Sequence, residues 1–376
     1  MASRGTNNFK IDNYLKDNVF LDQSSSSLEN DTFSKKYVLS LLASCDEFKN
    51  KFLNYLNISQ TLKLIDSNYQ YDLYSFTDQT KKYFLKVATY TDDNPLKNEY
   101  DKLIEIHGKI SVIAPYPVLY KKLDDSNKTC ILILSAENSF SFTDFCDTDF
   151  YHNIKTIANT FSILHEKTEK SVSQEKTKLL EKATNICDFE NNLSFEDYDF
   201  LMVKKFYNDL MSFTQTLKSD LETGLNSLNE NKVCICHCDM SRSRILYRNQ
   251  FVKFINFQDS LYLDLYFDVA LFILNIGLYD TDVADTFLEQ YHTSHSSIDV
   301  DLSTFKTKVN NYCLVLYKFI LLKNISLHIY EYIVFANTRP SKYIRFDKVY
   351  ESIRCLVSND YPDLLTTCDD LFICHT

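Results

Sequence analysis

The chain has 376 residues, 45% hydrophobic and 24% charged, a globular composition long enough for two or three compact units and unlike a disordered chain. Its 40 Lys and Arg against 51 Asp and Glu give a net charge of −11 with no long basic run, which argues against nucleic acid as a partner. No apolar stretch approaches the ~20 residues of a membrane span, and the N-terminal residues lack the apolar core of a secretory signal. The 11 cysteines then read as reduced, buried small hydrophobes and imply a cytoplasmic location. Only four glycines occur, and Gly5, Gly108, Gly224 and Gly277 cannot compose a G-x-G-x-x-G turn or a G-x-x-x-x-G-K-[ST] loop. Any phosphate cradle must use other residues. The shortage, beside 28 Phe, 26 Tyr and no Trp, suggests an AT-rich genome.

Residues 1–34, with a serine run at 24–27 and scattered Asn and Asp, are predicted to form a flexible polar leader that adds little stability. Val38, Leu41, Leu42, Phe48, Phe52 and Leu56 recur near helical spacing and predict one amphipathic helix over 36–56. Runs at 61–65, 73–76 and 82–87, separated by polar turns at 66–71 and 77–80, predict an antiparallel meander. Asn94 and Pro95 form a cap and first-turn pair, opening a helix with Leu96, Glu99, Leu103 and Ile104 on one side. Strands near 117–121 and 130–135 follow. Helical periods then dominate at 150–165, 175–186, 195–221 and after Asp282, interrupted by β-like runs at 233–235, 245–247 and 251–255. The expected fold class is α+β with two lobes. The leader spans 1–34, a β-rich lobe 35–136, and a helical lobe carrying a small hairpin 137–376, with a ligand cleft between the lobes.

The most informative segment is 237–270, which contains His237-Cys238-Asp239, Asn256-Phe257-Gln258, Asp264 and Asp268-Val269-Ala270. In these spacings the chain resembles the aminoglycoside phosphotransferase and choline kinase families of the protein-kinase-like fold. Those families carry H-G-D-x-x-x-x-N, a short hairpin, I-D-F-[ED] and two later Asp residues. Phe257-Gln258 is also similar to the ecdysteroid-kinase-like branch. The resemblance covers about residues 60 to 330 and implies roles for individual side chains. Asp239 would be the catalytic base, His237 would hold the catalytic loop, and Asp264 and Asp268 would anchor it. Lys86 would hold nucleotide phosphates with Glu99 as its ion-pair partner, and Ser67 and Asn68 would replace a glycine loop in the first turn. Leu164-His165 matches the Leu-His pair that ends a helix in these kinases. Read without the resemblance, Lys86 is equally a solvated residue of an edge strand.

Three positions depart from the family pattern. Arg244 stands where an Asn ligates metal, Asn256 where an Asp bridges metal to phosphates, and Cys238 where a Gly is usual. Mg²⁺ prefers hard oxygen ligands with one or two carboxylates, whereas Asn256 offers one neutral oxygen and Arg244 only donors. An Arg244 head in the cleft would repel a cation and attract phosphate. Asp259 and Asp264 are the acidic groups available to compensate, and a shifted loop among Arg242, Arg244 and Arg248 is the alternative alignment. Cys234, Cys236 and Cys238 would share one strand face with His237 pointing away, a spacing unlike structural zinc sites. ATP is the expected nucleotide, with Mg²⁺ binding impaired. Three readings follow: a degenerate kinase-like protein acting by ligand binding or scaffolding, an active ATP-dependent phosphotransferase on a small-molecule hydroxyl, and an assembly protein that shares the fold. The partner is a nucleotide or small molecule, with a protein partner open and neither nucleic acid nor a membrane span expected.

Overall fold

The structure, a computed structural model, describes residues 33–52, 55–67, 71–89, 94–124, 128–135, 147–184, 200–228, 232–241, 244–248, 251–277 and 281–336. Residues 1–32 of the expected leader lie outside these. The last two residues assigned to it, Phe33 and Ser34, belong to the folded body. Ser34 caps α1 (Lys35–Ser44) by accepting from the Tyr37 backbone, and Phe33 donates its N–H to Asp72 Oδ2 at 2.6 Å.

The single helix expected over 36–56 is three pieces: α1, α2 (Asp46–Lys51) and α3 (Tyr55–Thr61). The chain is extended at Cys45 and Phe52, where the breaks fall. These breaks let Phe48, Phe52 and Ile58 all face one sheet. Phe52 stacks on Phe48 at 4.6 Å and meets the edges of Phe76 and Tyr83 at 5.4 and 5.0 Å. Leu56, counted in the expected stripe, is instead 69% exposed. Helical spacing captured the apolar residues but not the turns that aim them at a broad, flat face.

That face belongs to a five-stranded antiparallel sheet of β1 (Lys63–Ser67), β2 (Asp72–Asp78), β3 (Lys81–Thr89), β4 (Pro117–Asp124) and β5 (Thr129–Ser135), ordered β1-β2-β3-β5-β4. β1 runs through Asp66 and Ser67, which the sequence pattern placed in the turn. Period-two alternation splits the core between the two faces. Tyr74, Phe76, Leu85, Val87, Ile131 and Ile133 pack toward α1–α3. Leu73, Phe84, Ala88, Leu132 and Leu134 join the larger core on the other side, so Lys86, between Leu85 and Val87, shares their face.

On that side lies α4 (Pro95–Lys109), capped by Asn94, whose side chain accepts from the backbones of Leu96 and Lys97. Its buried stripe is Leu96, Glu99, Leu103 and Ile106. Ile104, expected on this side, is 44% exposed, because one residue beyond Leu103 turns about 100° around the helix.

The larger lobe contains α5 (Asp147–His152), α6 (Ile154–Thr168), α7 (Lys176–Thr184), α8 (Phe200–Ser227), α9 (Leu265–Phe272), α10 (Thr281–Ser294) and α11 (Leu302–Ala336). The helix expected at 150–165 breaks at Asn153. Two small antiparallel pairs interrupt the helices: β6 (Cys234–Cys236) with β9 (Leu261–Leu263), and β7 (Ile245–Arg248) with β8 (Phe251–Phe254). Aromatic rings fill the centre, Phe272 stacking on Phe287 at 4.4 Å and Tyr291 on Phe305 at 5.8 Å. α11 lies close against α8, where a Cβ at Gly224 would come within 2.8 Å of Val315 Cγ1. No helix of the described residues is long and apolar enough to cross a membrane. The fold is α+β with two lobes, a small antiparallel-sheet lobe and a larger helical one.

Removing residues 1–32 is expected to leave the thermal midpoint within about 2 °C of the full chain. Removing 1–34 deletes the Ser34 cap and the Phe33 contacts with Asp72 and Tyr74, each worth about 1 kcal/mol, and is expected to lower it by several degrees. Differential scanning calorimetry of both truncations checks this. Equal midpoints would show that Phe33 and Ser34 contribute nothing.

Candidate nucleotide-binding cleft

Lys86 occupies the middle of β3, paired with Leu73 and Leu132 in the neighbouring strands. Its side chain is buried, and an ammonium offers three donors that must find partners. Nζ donates to Glu99 Oε2 at 2.7 Å and to Asn256 Oδ1 at 2.6 Å, and it lies 4.3 Å from the Tyr71 ring centre. Tyr71 Oη also donates to Asn256 Oδ1 at 3.3 Å. Asn256 has φ 70 and ψ 56, a left-handed conformation that Asn tolerates better than most residues. Because an ammonium can only donate, the oxygen of Asn256 is fixed toward Lys86 and its Nδ2 faces elsewhere. Among the described residues, Asn256 Nδ2 and Glu99 Oε1 are buried without a hydrogen-bond partner.

β6 delivers the chain to the loop that begins at His237. The backbone N–H groups of His237 and Cys238 donate to the two oxygens of Asp268, at 2.7 and 3.0 Å. His165 Nε2 donates to the same carboxylate at 3.1 Å while its Nδ1 accepts from Tyr291 Oη at 2.7 Å. Asp268 lies in the first turn of α9, where the helix dipole favours negative charge. Burial pushes the Asp268 pKa up, but the hydrogen bond from His165 and the backbone donor of His237 outweigh it and hold the pKa low. Asp264 caps α9 through the Tyr266 N–H at 3.0 Å and accepts from Tyr312 Oη at 2.8 Å, so its carboxylate is committed to the scaffold.

His237 is fully buried. Its Nδ1 accepts from the Asp239 N–H at 3.3 Å, leaving Nε2 to donate to the Ile255 carbonyl at 2.8 Å. Burial lowers its pKa against the pull of Asp268, so the ring is neutral at physiological pH. Cys238 has φ 62, the left-handed region that favours glycine.

Asp239 is partly exposed, with a protein cation near each of its oxygens. Lys323 of α11 donates to Oδ1 at 2.8 Å, and Arg244 Nε lies 3.6 Å from Oδ2. Asp259 accepts from Lys182 of α7 at 3.0 Å. Burial raises the Asp259 pKa, but the charges of Lys182 and Lys323 overcome it and hold the carboxyl well below the usual range. The sequence pattern anticipated neither Lys182 nor Lys323. The one available signal was Lys323 itself, a charge following Leu321-Leu322 in an apolar helix, where an inward cation requires a partner. Ser67 ends β1 with its backbone opposite Asp72. Asn68 lies outside the described residues.

The residues do not fit Mg²⁺. Asn256 gives its oxygen to Lys86, Arg244 brings a fixed positive charge, and Asp239 and Asp259 each carry a protein cation. A second grouping, His165 with Cys234 and Cys236, holds its ligand atoms within 4.8 Å of one another. Both nitrogens of His165 are already engaged, and burial pushes both thiols up, away from the thiolate a metal needs. Cys234 and Cys236 lie side by side with sulfurs 3.8 Å apart, while Cys238 has left the strand.

A Lys-Glu pair on a five-stranded sheet, above a His-x-Asp loop anchored by the first turn of a helix, sits in a two-lobed protein-kinase-like fold. The chain is similar to the amicoumacin kinase hAmiN in complex with AMP-PNP, Ca²⁺ and Ami, at 12% identity over 85% of this chain and 96% of that one, with a TM-score of 0.55. It is also similar to a thermostable mutant of the aminoglycoside phosphotransferase APH(4)-Ia in its apo form, at 13% identity over 79% and 92% of the two chains, with a TM-score of 0.50. The likeness is one of fold. No protein-family model matches the sequence, and no curated protein does.

Two substitutions probe this scaffold. Glu99→Ala leaves the Lys86 ammonium buried without its carboxylate and is expected to cost about 3 kcal/mol in denaturant unfolding, more than a surface ion pair would. Asp268→Asn is expected to cost about 2 kcal/mol at neutral pH. Because folding depresses the Asp268 pKa, its stabilisation is complete above the unfolded value near 4 and is lost as pH falls through the folded value. The variant should therefore converge on the wild type in acid. A constant difference from pH 7 down to pH 2 would contradict the assignment.

Proposed function

We propose that the chain is a degenerate kinase-like protein, a pseudokinase, that binds a nucleotide such as ATP in this cleft and acts by binding or scaffolding rather than by efficient phosphoryl transfer. The observation that carries this reading is the pairing of both cleft carboxylates, Asp239 and Asp259, with protein cations. Mg²⁺ is the principal charge neutraliser in phosphoryl transfer, and a guanidinium or ammonium supplies one positive charge without a template for bridging phosphate oxygens. Nucleotide binding has independent support. Lys86 and Glu99 hold a buried cation beside Asn256, and kinases of similar fold have been solved with ADP or AMP-PNP. In this reading Lys86 and Asn256 Nδ2 contact phosphate oxygens, His237 and Asp268 hold the loop, and a protein partner reads the occupied state. The reduced, buried cysteines fit a cytoplasmic setting.

A rival reading, an active phosphotransferase on a small-molecule hydroxyl, draws on Asp239. It is a partly exposed carboxylate at the position of a base, and it would take the hydroxyl proton once Lys323 and Arg244 withdrew. Calorimetric titration of ATP with and without Mg²⁺, followed by a turnover assay, separates the two. The pseudokinase reading expects affinities within about threefold of each other and no sustained turnover. Robust Mg²⁺-dependent transfer to a hydroxyl, abolished by Asp239→Ala, would overturn it.

A further inference from the structure

We infer that Lys323 is the resident counter-ion of the cleft, its ammonium standing at Asp239 in place of a divalent cation, so that the cleft selects polyphosphates free of divalent metal. The first half stands on geometry alone. The selectivity rests on the nucleotide-binding reading above.

Lys323 reaches Asp239 across 84 residues of sequence to make a 2.8 Å contact. The packing of α11 fixes that reach. Tyr312 and Lys323 are 11 residues apart, three helical turns, and therefore share a face. Tyr312 donates to Asp264, the cap of α9, and Lys318 pairs with Asp220 of α8 at 3.0 Å. At Gly224 a side chain would collide with Val315 of α11, so the close approach of the two helices depends on glycine there. Two acidic groups on separate segments, Asp264 and Asp220, thus hold the helix in register while its lysine enters the cleft.

The surrounding groups also favour an anion. Arg244 flanks Asp239, Lys182 neutralises Asp259, and Lys86 commits the Asn256 oxygen. What Asn256 retains is Nδ2, a donor on a residue only 3% exposed, with no partner among the described residues. A buried donor of this kind suits a phosphate oxygen and cannot ligate a metal ion. A divalent cation would meet repulsion from Lys323 and Arg244, and its usual carboxylates are occupied. The charge of Lys323 also contributes to holding the Asp259 carboxyl ionised.

The experiment titrates Mn²⁺ alone into the full chain and into Lys323→Met and Lys323→Arg, with circular dichroism and thermal midpoints to confirm folding. Wild type and Lys323→Arg are expected to show no saturable binding up to roughly 1 mM, and Lys323→Met to bind at least about tenfold more tightly. A folded Lys323→Met that gains nothing overturns the inference. So does wild-type protein that binds Mn²⁺ and loses the binding in Asp239→Asn, a result that needs no lysine variant to fold. A second arm measures ADP affinity in EDTA and in Mg²⁺. The ratio is expected to stay near one in wild type and to move about tenfold toward Mg²⁺ dependence in Lys323→Met. A ratio unchanged by the substitution overturns the selectivity. Wild type that binds no ADP in either condition removes the nucleotide reading and with it the selectivity, while the Mn²⁺ arm still decides the role of Lys323.

Discussion

A single buried carboxylate, Asp268, organises the cleft. It takes the two backbone N–H groups of His237 and Cys238 and the Nε2 proton of His165. Holding both amides on one side chain requires the chain to turn sharply between them, and Cys238 accepts a left-handed conformation to do so. The turn presents Asp239 outward and sends the His237 ring inward to the Ile255 carbonyl. The next residue is Asn256, which meets Lys86, which meets Glu99. A continuous polar relay therefore runs from α9 in the large lobe to α4 in the small one. Asn98 of α4 adds a second tie by donating to the Gln258 and Ser260 carbonyls. Low local dielectric strengthens each link and makes the loss of one costly to its neighbours.

The relay keeps the framework of a phosphotransferase fold while its charges are rearranged. Asn256 brings an amide to Lys86, and the Asp239 and Asp259 carboxylates are covered by lysine and arginine. Partly exposed ion pairs such as those at Asp239 and Asp259 add little net stability, so fold maintenance does not account for them. Four glycines leave few positions for an easy left-handed backbone. Gln79, Lys128, Cys238 and Asn256 adopt positive φ instead. The two in the cleft are tethered by the hydrogen bonds that would offset such strain.

Local chemistry was legible in the sequence wherever one short segment contained the whole signal. Asn94-Pro95 specified its helix start, short β-branched and aromatic runs marked the strands, and the family resemblance over 237–270 implied a loop anchored by Asp268. Pairings between distant segments were not legible. Lys86 meets Asn256 across 170 residues and Lys323 meets Asp239 across 84, and no periodicity encodes such partners. The breaks at Cys45 and Phe52 were hidden for a related reason. Neither residue is a helix breaker, so local propensity gives no sign of the extended conformation that each adopts. Arg244 was read as a phosphate ligand from its donors, and its nearest anion proved to be Asp239.

In the proposed reading, protein cations occupy the place of metal in a cleft that receives phosphate. A crystal structure of the protein with ATP and Mn²⁺, phased with anomalous data at the manganese edge, tests it most directly. The expected result is nucleotide density beside Lys86 and Asn256, Lys323 retained on Asp239, and no anomalous peak in the cleft. A manganese peak bridging Asp239 or Asn256 to the phosphates, with Lys323 displaced, would contradict it.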